Sequence, residues 1–86
     1  MAESIIDGED VKEVRNAIAE VIFDLRKKEL NMTMRKTARL IGTSHSFIGK
    51  VEQNTRKFCL HEFILYCQKL DKEPVEVLEQ ILGKLK

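Results

Sequence analysis

Two short helical patterns separated by only three residues constrain the fold of this chain most. Residues 34–41 follow Thr33, a residue type that caps helix N-termini well. They are followed by Gly42, which readily takes the left-handed conformation that ends a helix. Ser44 can then cap a second helix over about 45–53. The sequence therefore predicts two short helices joined by a tight turn.

Three further helices are predicted from apolar residues that recur at helical spacing. The first covers about 11–29, and Asp10 and Glu13 have the spacing of a capping box at its start. A fourth helix begins near residue 60, and Pro74 suits the first position of a fifth. The residues expected to face the core are Val11, Val14, Ile18, Val21, Ile22, Leu25, Ala38, Ile41, Phe47, Ile48, Val51, Leu60, Phe63, Ile64, Cys67, Leu70, Val75, Leu78, Ile81, Leu82 and Leu85, with Thr37 or Leu40 assisting.

The size and composition of the chain favour one small all-α domain. Its 86 residues are 43% apolar, enough for a compact five-helix domain over 10–86, which a mobile segment over 1–9 would precede. No apolar run reaches the roughly 20 residues that span a bilayer, and the start of the chain does not have the pattern of a signal peptide. We therefore expect a cytoplasmic protein with no membrane partner.

The two cysteines, Cys59 and Cys67, are expected to be reduced. On one helix their Cα atoms would lie about 12 Å apart, and a disulfide needs less than about 7 Å. The histidines do not complete a metal-binding set with them. No metal and no cofactor is therefore predicted. An enzyme is not predicted either, because no nucleophile, base and orienting acid can be placed together.

The charge distribution points to a polyanionic partner. Residues 26–57 carry nine basic and two acidic side chains, while residues 1–25 carry two basic and seven acidic ones. The net charge of the whole chain is only +1. A concentrated cationic segment in a nearly neutral chain indicates one surface suited to a polyanion such as a nucleic acid.

A cationic segment built from two short helices and a glycine turn is the layout of a helix-turn-helix, whose second helix enters the major groove of DNA. Residues on the outward side of the second helix would face bases: His45, Ser46, Gly49 and Lys50. Lys50 can reach guanine O6 and N7. Gly49 either allows a close approach, to DNA or to the preceding helix, or is a tolerated weak spot. The residues expected to contact phosphates are Met34, Arg35, Lys36, Gln53, Asn54, Thr55, Arg56 and Lys57.

Residues 18–82 resemble the Cro and phage-repressor (XRE) type of helix-turn-helix regulators. The resemblance rests on Ala38 and Gly42 with their spacing, on the stretch 44–52, and on the later segments 56–58, 62–63 and 70–78. It implies a lambda repressor-like fold of five helices. It also implies that His45, Ser46 and Lys50 face bases, and that Gln53, Asn54 and Arg56 face phosphate or the turn beside it. Met34 and Thr37 depart from the family, which often has a glutamine and an apolar residue there.

Two functions follow as hypotheses. The first is a sequence-specific DNA-binding transcriptional regulator, such as a repressor, which binds double-stranded DNA as a homodimer on a two-fold operator. Its dimer interface would use Leu78, Ile81, Leu82 and Leu85, although these residues could instead cover the first helix. The alternative is a protein-interaction module or antitoxin-like partner-binding protein with weak or lost DNA binding, favoured by Met34, Thr37 and Gly49. In either case Glu52 is expected to pair with an Arg or Lys of helix one or two.

Overall fold

The computed structural model describes residues 8–86, which form five helices and contain no strand. The helices are α1 (Gly8–Asp24), α2 (Met34–Ile41), α3 (His45–Glu52), α4 (Leu60–Lys69) and α5 (Pro74–Lys84). A wider π-helical turn, Leu25–Glu29, continues α1. The predicted all-α class with five helices is confirmed. The helix-turn-helix assignment of α2 and α3 stays a prediction.

The first helix begins earlier than predicted. It starts at Gly8, so Asp10 lies in the first turn rather than at the N-cap. A carboxylate in the first turn still offsets the partial positive charge of the helix N-terminus, which explains why acidic residues suit this place. Residues 8 and 9, predicted to belong to a mobile segment, are helical. The rest of that predicted segment, residues 1–7, lies outside the described residues.

The turn between α2 and α3 forms as the sequence predicts. The Thr33 hydroxyl accepts a hydrogen bond from the Lys36 N–H at 3.1 Å, and the Ser44 hydroxyl accepts one from Phe47 at 3.2 Å. Gly42 takes φ +88°, and its N–H donates to the carbonyl of Ala38 at 2.8 Å. Local capping chemistry therefore fixes both boundaries of the connection.

The core is smaller than the apolar pattern predicted. The buried apolar side chains are Ala17, Ala19, Val21, Ile22, Leu25, Ala38, Ile48, Val51, Phe63, Tyr66, Cys67, Leu70, Val77 and Ile81. Several residues predicted to be inside are instead exposed, namely Val11, Val14, Leu60, Ile64, Val75, Leu78, Leu82 and Leu85. Five short helices cannot cover every apolar side, because a small domain buries a smaller fraction of its surface. Thr37, rather than Leu40, completes the inner side of α2, and its hydroxyl donates to the Thr33 carbonyl at 2.9 Å.

Candidate nucleic-acid interface

The third helix divides sharply into an anchored side and an exposed side. Ile48 and Val51 are only 1% and 3% exposed, and Phe47 packs against the core beside them. On the other side, His45, Ser46 and Lys50 are exposed. The structure thus places three of the four predicted base-facing residues where a partner can reach them. The buried side of α3 holds the helix, and with it these three residues, against the core.

The fourth predicted base-facing residue, Gly49, lies half-buried beneath Met34. A Cβ atom built on Gly49 would stand 3.5 Å from the Met34 sulfur and 3.9 Å from its methyl carbon. Both are ordinary van der Waals distances, so the contact with α2 does not require a glycine at this position. The Met34 side chain packs over α3 and against the core, although the sequence predicted a phosphate contact for this residue. The residue that departs from the family pattern at the start of α2 thus contacts the unusual glycine of α3.

Alanine at position 49 is expected to stabilise the fold. The new Cβ would meet Met34 at an ordinary van der Waals distance of 3.5 Å, and removal of a mid-helix glycine contributes about 0.5–1 kcal/mol. Thermal unfolding of Gly49→Ala should therefore show a raised Tm. Gly42→Ala is the matched control, because the φ of +88° at Gly42 disfavours any side chain. A Tm below that of the wild type for Gly49→Ala would contradict this prediction.

The loop after α3 is tied to α1 through Asn54. Its side-chain oxygen accepts from Arg15 Nε at 3.1 Å, and its amide nitrogen donates to Asn16 Oδ1 at 2.6 Å. Asn54 itself has φ +59°, the left-handed conformation that asparagine tolerates. Both ends of this amide are occupied by α1, so a phosphate contact through it would have to displace them. Next to it, the Thr55 hydroxyl donates to the Lys50 carbonyl at 3.2 Å and so caps the end of α3.

Arg56, another predicted phosphate-binding residue, is paired within the protein. Its Nη1 and Nη2 donate to the two carboxylate oxygens of Glu62, each at 3.1 Å. Its guanidinium also lies 4.5 Å from the centre of the Phe47 ring. The hydrogen bonds and charge of Glu62 raise the pKa of Arg56, and the same pair lowers the pKa of Glu62. Arg56 therefore carries a neutralised charge.

Other cations of the segment have no acidic partner within ion-pair distance in residues 8–86. One of them is Lys27, in the turn that continues α1. The other five, which we call the cationic surface, are Arg35, Lys36 and Arg39 on α2, Lys50 on α3, and Lys57. All five side chains are exposed. Gln53, at the end of α3, is exposed as well. By contrast, Lys28 has an acidic partner: its Nζ lies 3.5 Å from Asp24 Oδ1. The positive charge available to a polyanion is thus concentrated on α2, α3 and the following loop.

A buried ion pair fixes the end of α3. Glu52 Oε2 and Oε1 accept from Arg26 Nε and Nη2 at 2.5 and 2.9 Å, and the two side chains are only 4% and 5% exposed. Arg26 Nη1 also donates to the Met32 carbonyl at 2.6 Å, just before α2 begins. The bond to Glu52 raises the pKa of Arg26 against the opposing effect of burial. This pair confirms the expectation that Glu52 pairs with an Arg or Lys of helix one or two, and the partner lies in the turn that continues α1.

Arg26 could not be identified as the partner from the sequence, because it stands in a run of three basic residues. Arg26, Lys27 and Lys28 are equally charged, and only the wide turn that follows α1 distinguishes the one that enters the interior. The Tyr66 hydroxyl, also buried, has no hydrogen-bond partner within residues 8–86. Burial and, to a smaller extent, the nearby charge of Glu52 raise the pKa of the Tyr66 hydroxyl, so this hydroxyl stays neutral.

The predicted dimer interface needs one correction. Ile81 is 4% exposed and belongs to the core, whereas Leu78, Leu82 and Leu85 are exposed. A groove of about 330 Å³, which we call the apolar groove, lies between α1, the start of α4 and α5. It is lined by Val14, Ile18, Phe58, Leu60, Phe63, Leu78, Ile81, Leu82 and Leu85. Leu60 is 74% exposed at its edge, although the sequence pattern placed it in the core.

Compared with known proteins, the chain matches no family model, no curated protein and no solved structure. Its resemblance to the Cro and phage-repressor type therefore rests on the motif residues alone. None of the helices within residues 8–86 has the length and apolar character needed to cross a bilayer. The same residues hold no group of three His, Cys, Asp or Glu side chains that could bind a metal ion.

Proposed function

We propose that this protein is a sequence-specific DNA-binding transcriptional regulator whose α3 enters the major groove. The observation that supports this most is the division of α3 into buried Ile48 and Val51 and exposed His45, Ser46 and Lys50. A recognition helix needs a rigid anchor on one side and polar side chains on the other, near its N-terminus. The capped, eight-residue α3 meets both requirements.

The cationic surface supplies the second part of the proposal. Phosphate contacts position a protein on the duplex, and base contacts give it specificity. Arg35 and Lys36 lie in the first turn of α2, and Lys57 follows α3 in the chain, so exposed cations stand on both sides of the recognition helix in sequence. Lys50, on α3 itself, is the cation that we assign to a guanine.

A homodimer is part of the proposal. One small module buries only about 600–1,000 Å² on DNA, which is usually too little for tight specific binding by a single copy. Two copies on a two-fold operator, with half-sites about one helical turn apart, would double that contact. Leu78, Leu82 and Leu85 remain our candidates for the interface, since each is exposed along α5. Contiguous exposed apolar surface of this kind is typical of protein contacts. The setting implied by this function is the cytoplasm.

Selection of bound sites from random duplex DNA, followed by affinity measurements across salt concentrations, tests the proposal. Six or more phosphate contacts should weaken binding by about 10³-fold or more between 50 and 200 mM salt. A palindromic selected site would support the homodimer. Absent or salt-independent binding would reject the DNA-binding function.

Lys50→Ala is expected to cost about 1–3 kcal/mol of binding free energy on the selected site and to relax specificity at one base pair. The reason is that Lys50 is exposed on α3 and has no acidic partner within residues 8–86. Lys12→Ala is the control, since Lys12 is also exposed but lies on α1. Equal losses on selected and random DNA would remove Lys50 from the base-reading residues.

A protein-interaction module, including an antitoxin-like partner-binding protein, is the second candidate. Two observations favour it specifically. Asn54 and Arg56, both predicted to contact phosphate, are bound to other parts of the protein, and the apolar groove offers an unfilled surface. The salt series separates the two candidates, because an interaction module would show no steep loss of duplex binding with salt.

A further inference from the structure

The pair between Arg56 and Glu62 is unusually complete for a surface contact. Two parallel hydrogen bonds, each 3.1 Å long, join the guanidinium to both carboxylate oxygens. Arg56 Nη1 also donates to the Lys57 carbonyl at 2.8 Å, and the Phe47 ring lies 4.5 Å from the guanidinium carbon. A carboxylate, a carbonyl and an aromatic ring thus hold this cation in one orientation.

Glu62 is itself held in place. It stands in the first turn of α4, and its Oε1 accepts the Cys59 N–H at 2.8 Å. A carboxylate there is favoured by the partial positive charge of the helix N-terminus. The hydrogen bond from Arg56 lowers its pKa further, so Glu62 stays ionised near neutral pH. The carboxylate is therefore a fixed negative charge beside the loop that follows α3.

The pairing geometry resembles the one that a DNA phosphate would offer. Arginine binds carboxylate and phosphate through the same two-pronged arrangement of parallel N–H···O bonds. While Glu62 fills that arrangement, the charge of Arg56 is cancelled and the donors it uses are not free. Lys57, the next residue, has no acidic partner within residues 8–86. Arg56 therefore differs from Lys57 in having an acidic partner, and that partner is Glu62.

We propose that Glu62 stands in for a DNA phosphate on Arg56 and so lowers the affinity of the cationic surface for DNA of any sequence. This inference rests on the proposed function and concerns how strongly that surface binds the backbone. Glu62 leaves base readout by α3 unchanged, because its partner Arg56 lies outside that helix. Such a contact lowers the affinity for specific and for random DNA by the same factor, because phosphate contacts are common to both complexes.

Glu62→Gln tests the inference, because the glutamine amide oxygen can still accept the Cys59 N–H while the negative charge is lost. On random duplex DNA we expect about two- to fivefold tighter binding, the range that corresponds to breaking one exposed ion pair. The slope of log K against log salt should steepen by about 0.9, the value for one added phosphate contact. Arg56→Ala should change binding by less than about twofold, since the paired arginine contributes little.

Further variants make the test specific to this pair. Arg56→Ala combined with Glu62→Gln should lose the gain completely, because no cation remains to be released. Arg56→Lys should leave α4 intact and should also bind tighter than the wild type, since an ammonium cannot form the two-pronged pair. Glu20→Gln is the control: it removes one negative charge and the ion pair with Lys84, between α1 and α5. It should leave random-DNA affinity within about twofold.

The possible results separate the inference from the function on which it rests. Tighter, more salt-dependent binding by Glu62→Gln but not by Glu20→Gln supports the inference. Weaker or unchanged binding by Glu62→Gln, with wild-type DNA binding intact and steep in salt, overturns the inference alone. Weaker binding would mean that Glu62 orients Arg56 toward a phosphate, and unchanged binding would mean that the pair has no effect on DNA affinity. If the wild type itself binds no duplex in a salt-dependent way, the proposed function fails and the inference fails with it.

Discussion

Replacing Glu52 with alanine is expected to lower the free energy of unfolding by about 3–5 kcal/mol. The change would leave the Arg26 side chain, which is 5% exposed, buried without its counter-charge. Such a loss is a large part of the roughly 5–15 kcal/mol that holds a small domain together. Denaturant unfolding followed by circular dichroism measures it directly.

Two comparisons show whether burial is the cause. Arg26→Met combined with Glu52→Leu should recover most of the stability, because apolar residues of similar size can replace a buried ion pair at little cost. Glu29→Gln breaks the exposed pair with Lys72 and should cost no more than about 1 kcal/mol. A loss below about 1 kcal/mol for Glu52→Ala would mean that water reaches Arg26.

The doubly apolar variant also separates stability from the orientation of α3. Arg26 joins the end of α3 to the Met32 carbonyl before α2. A protein that unfolds like the wild type but loses binding to its selected DNA site would show that the pair sets the angle of α3. Retained binding would show that the apolar contacts of Ile48 and Val51 are sufficient.

Ile48→Ala is expected to cost about 2–5 kcal/mol of stability, the range for truncating a fully buried aliphatic side chain. Ile48 is 1% exposed and belongs to the core cluster. Phe47→Ala should cost less than Ile48→Ala, because Phe47 is only half-buried and part of its contact is with Phe58, 6.2 Å away between ring centres. Thermal and denaturant unfolding of both variants give the order of the two losses.

Leu40→Ala is the control for this pair, since Leu40 lies on α2 and is 47% exposed. A substitution there should change stability by about 1 kcal/mol at most. If Phe47→Ala lowered the stability more than Ile48→Ala, the assignment of the core-facing side of α3 to Ile48 and Val51 would be wrong. The exposed positions of His45, Ser46 and Lys50 would then need to be reassigned.

The caps and the tight turn could be predicted because their causes are local. Thr33 and Ser44 bond to N–H groups three residues away, and Gly42 takes a backbone conformation that few other residues tolerate. The start of α1 was harder to place, because acidic residues suit both the N-cap and the first turn. Asp10 therefore gave the wrong boundary.

The core was predicted less well, because periodicity shows only which residues share a side of a helix. Periodicity does not indicate Val77 and predicts that Leu82 lies inside, although both belong to α5. Only the packing of α5 against α1 decides which side of α5 is covered. Tyr66 is not among the residues predicted to face the core, yet it is buried, with 5.6 Å between its ring centre and that of Phe58. Such choices depend on partners that are distant in sequence.

The candidate site shows the same contrast. The exposure of Ser46 and Lys50 followed from helical spacing relative to Ile48 and Val51. The engagement of Asn54 with Arg15 could not be predicted, because the two residues are 39 positions apart. The pairing of Arg56 with Glu62 could not be predicted either, although the sequence predicts a phosphate contact for Arg56.

The sequence by itself determined the helices, their caps and the concentration of positive charge in residues 26–57, because each depends on neighbouring residues. Only the tertiary structure decided which of those charges remain available. Arg26 enters the interior to meet Glu52, and Arg56 is held by Glu62, while Lys50 stays exposed. The reason is physical: a charge is neutralised by groups within a few ångströms of it, and folding alone determines which groups come that close.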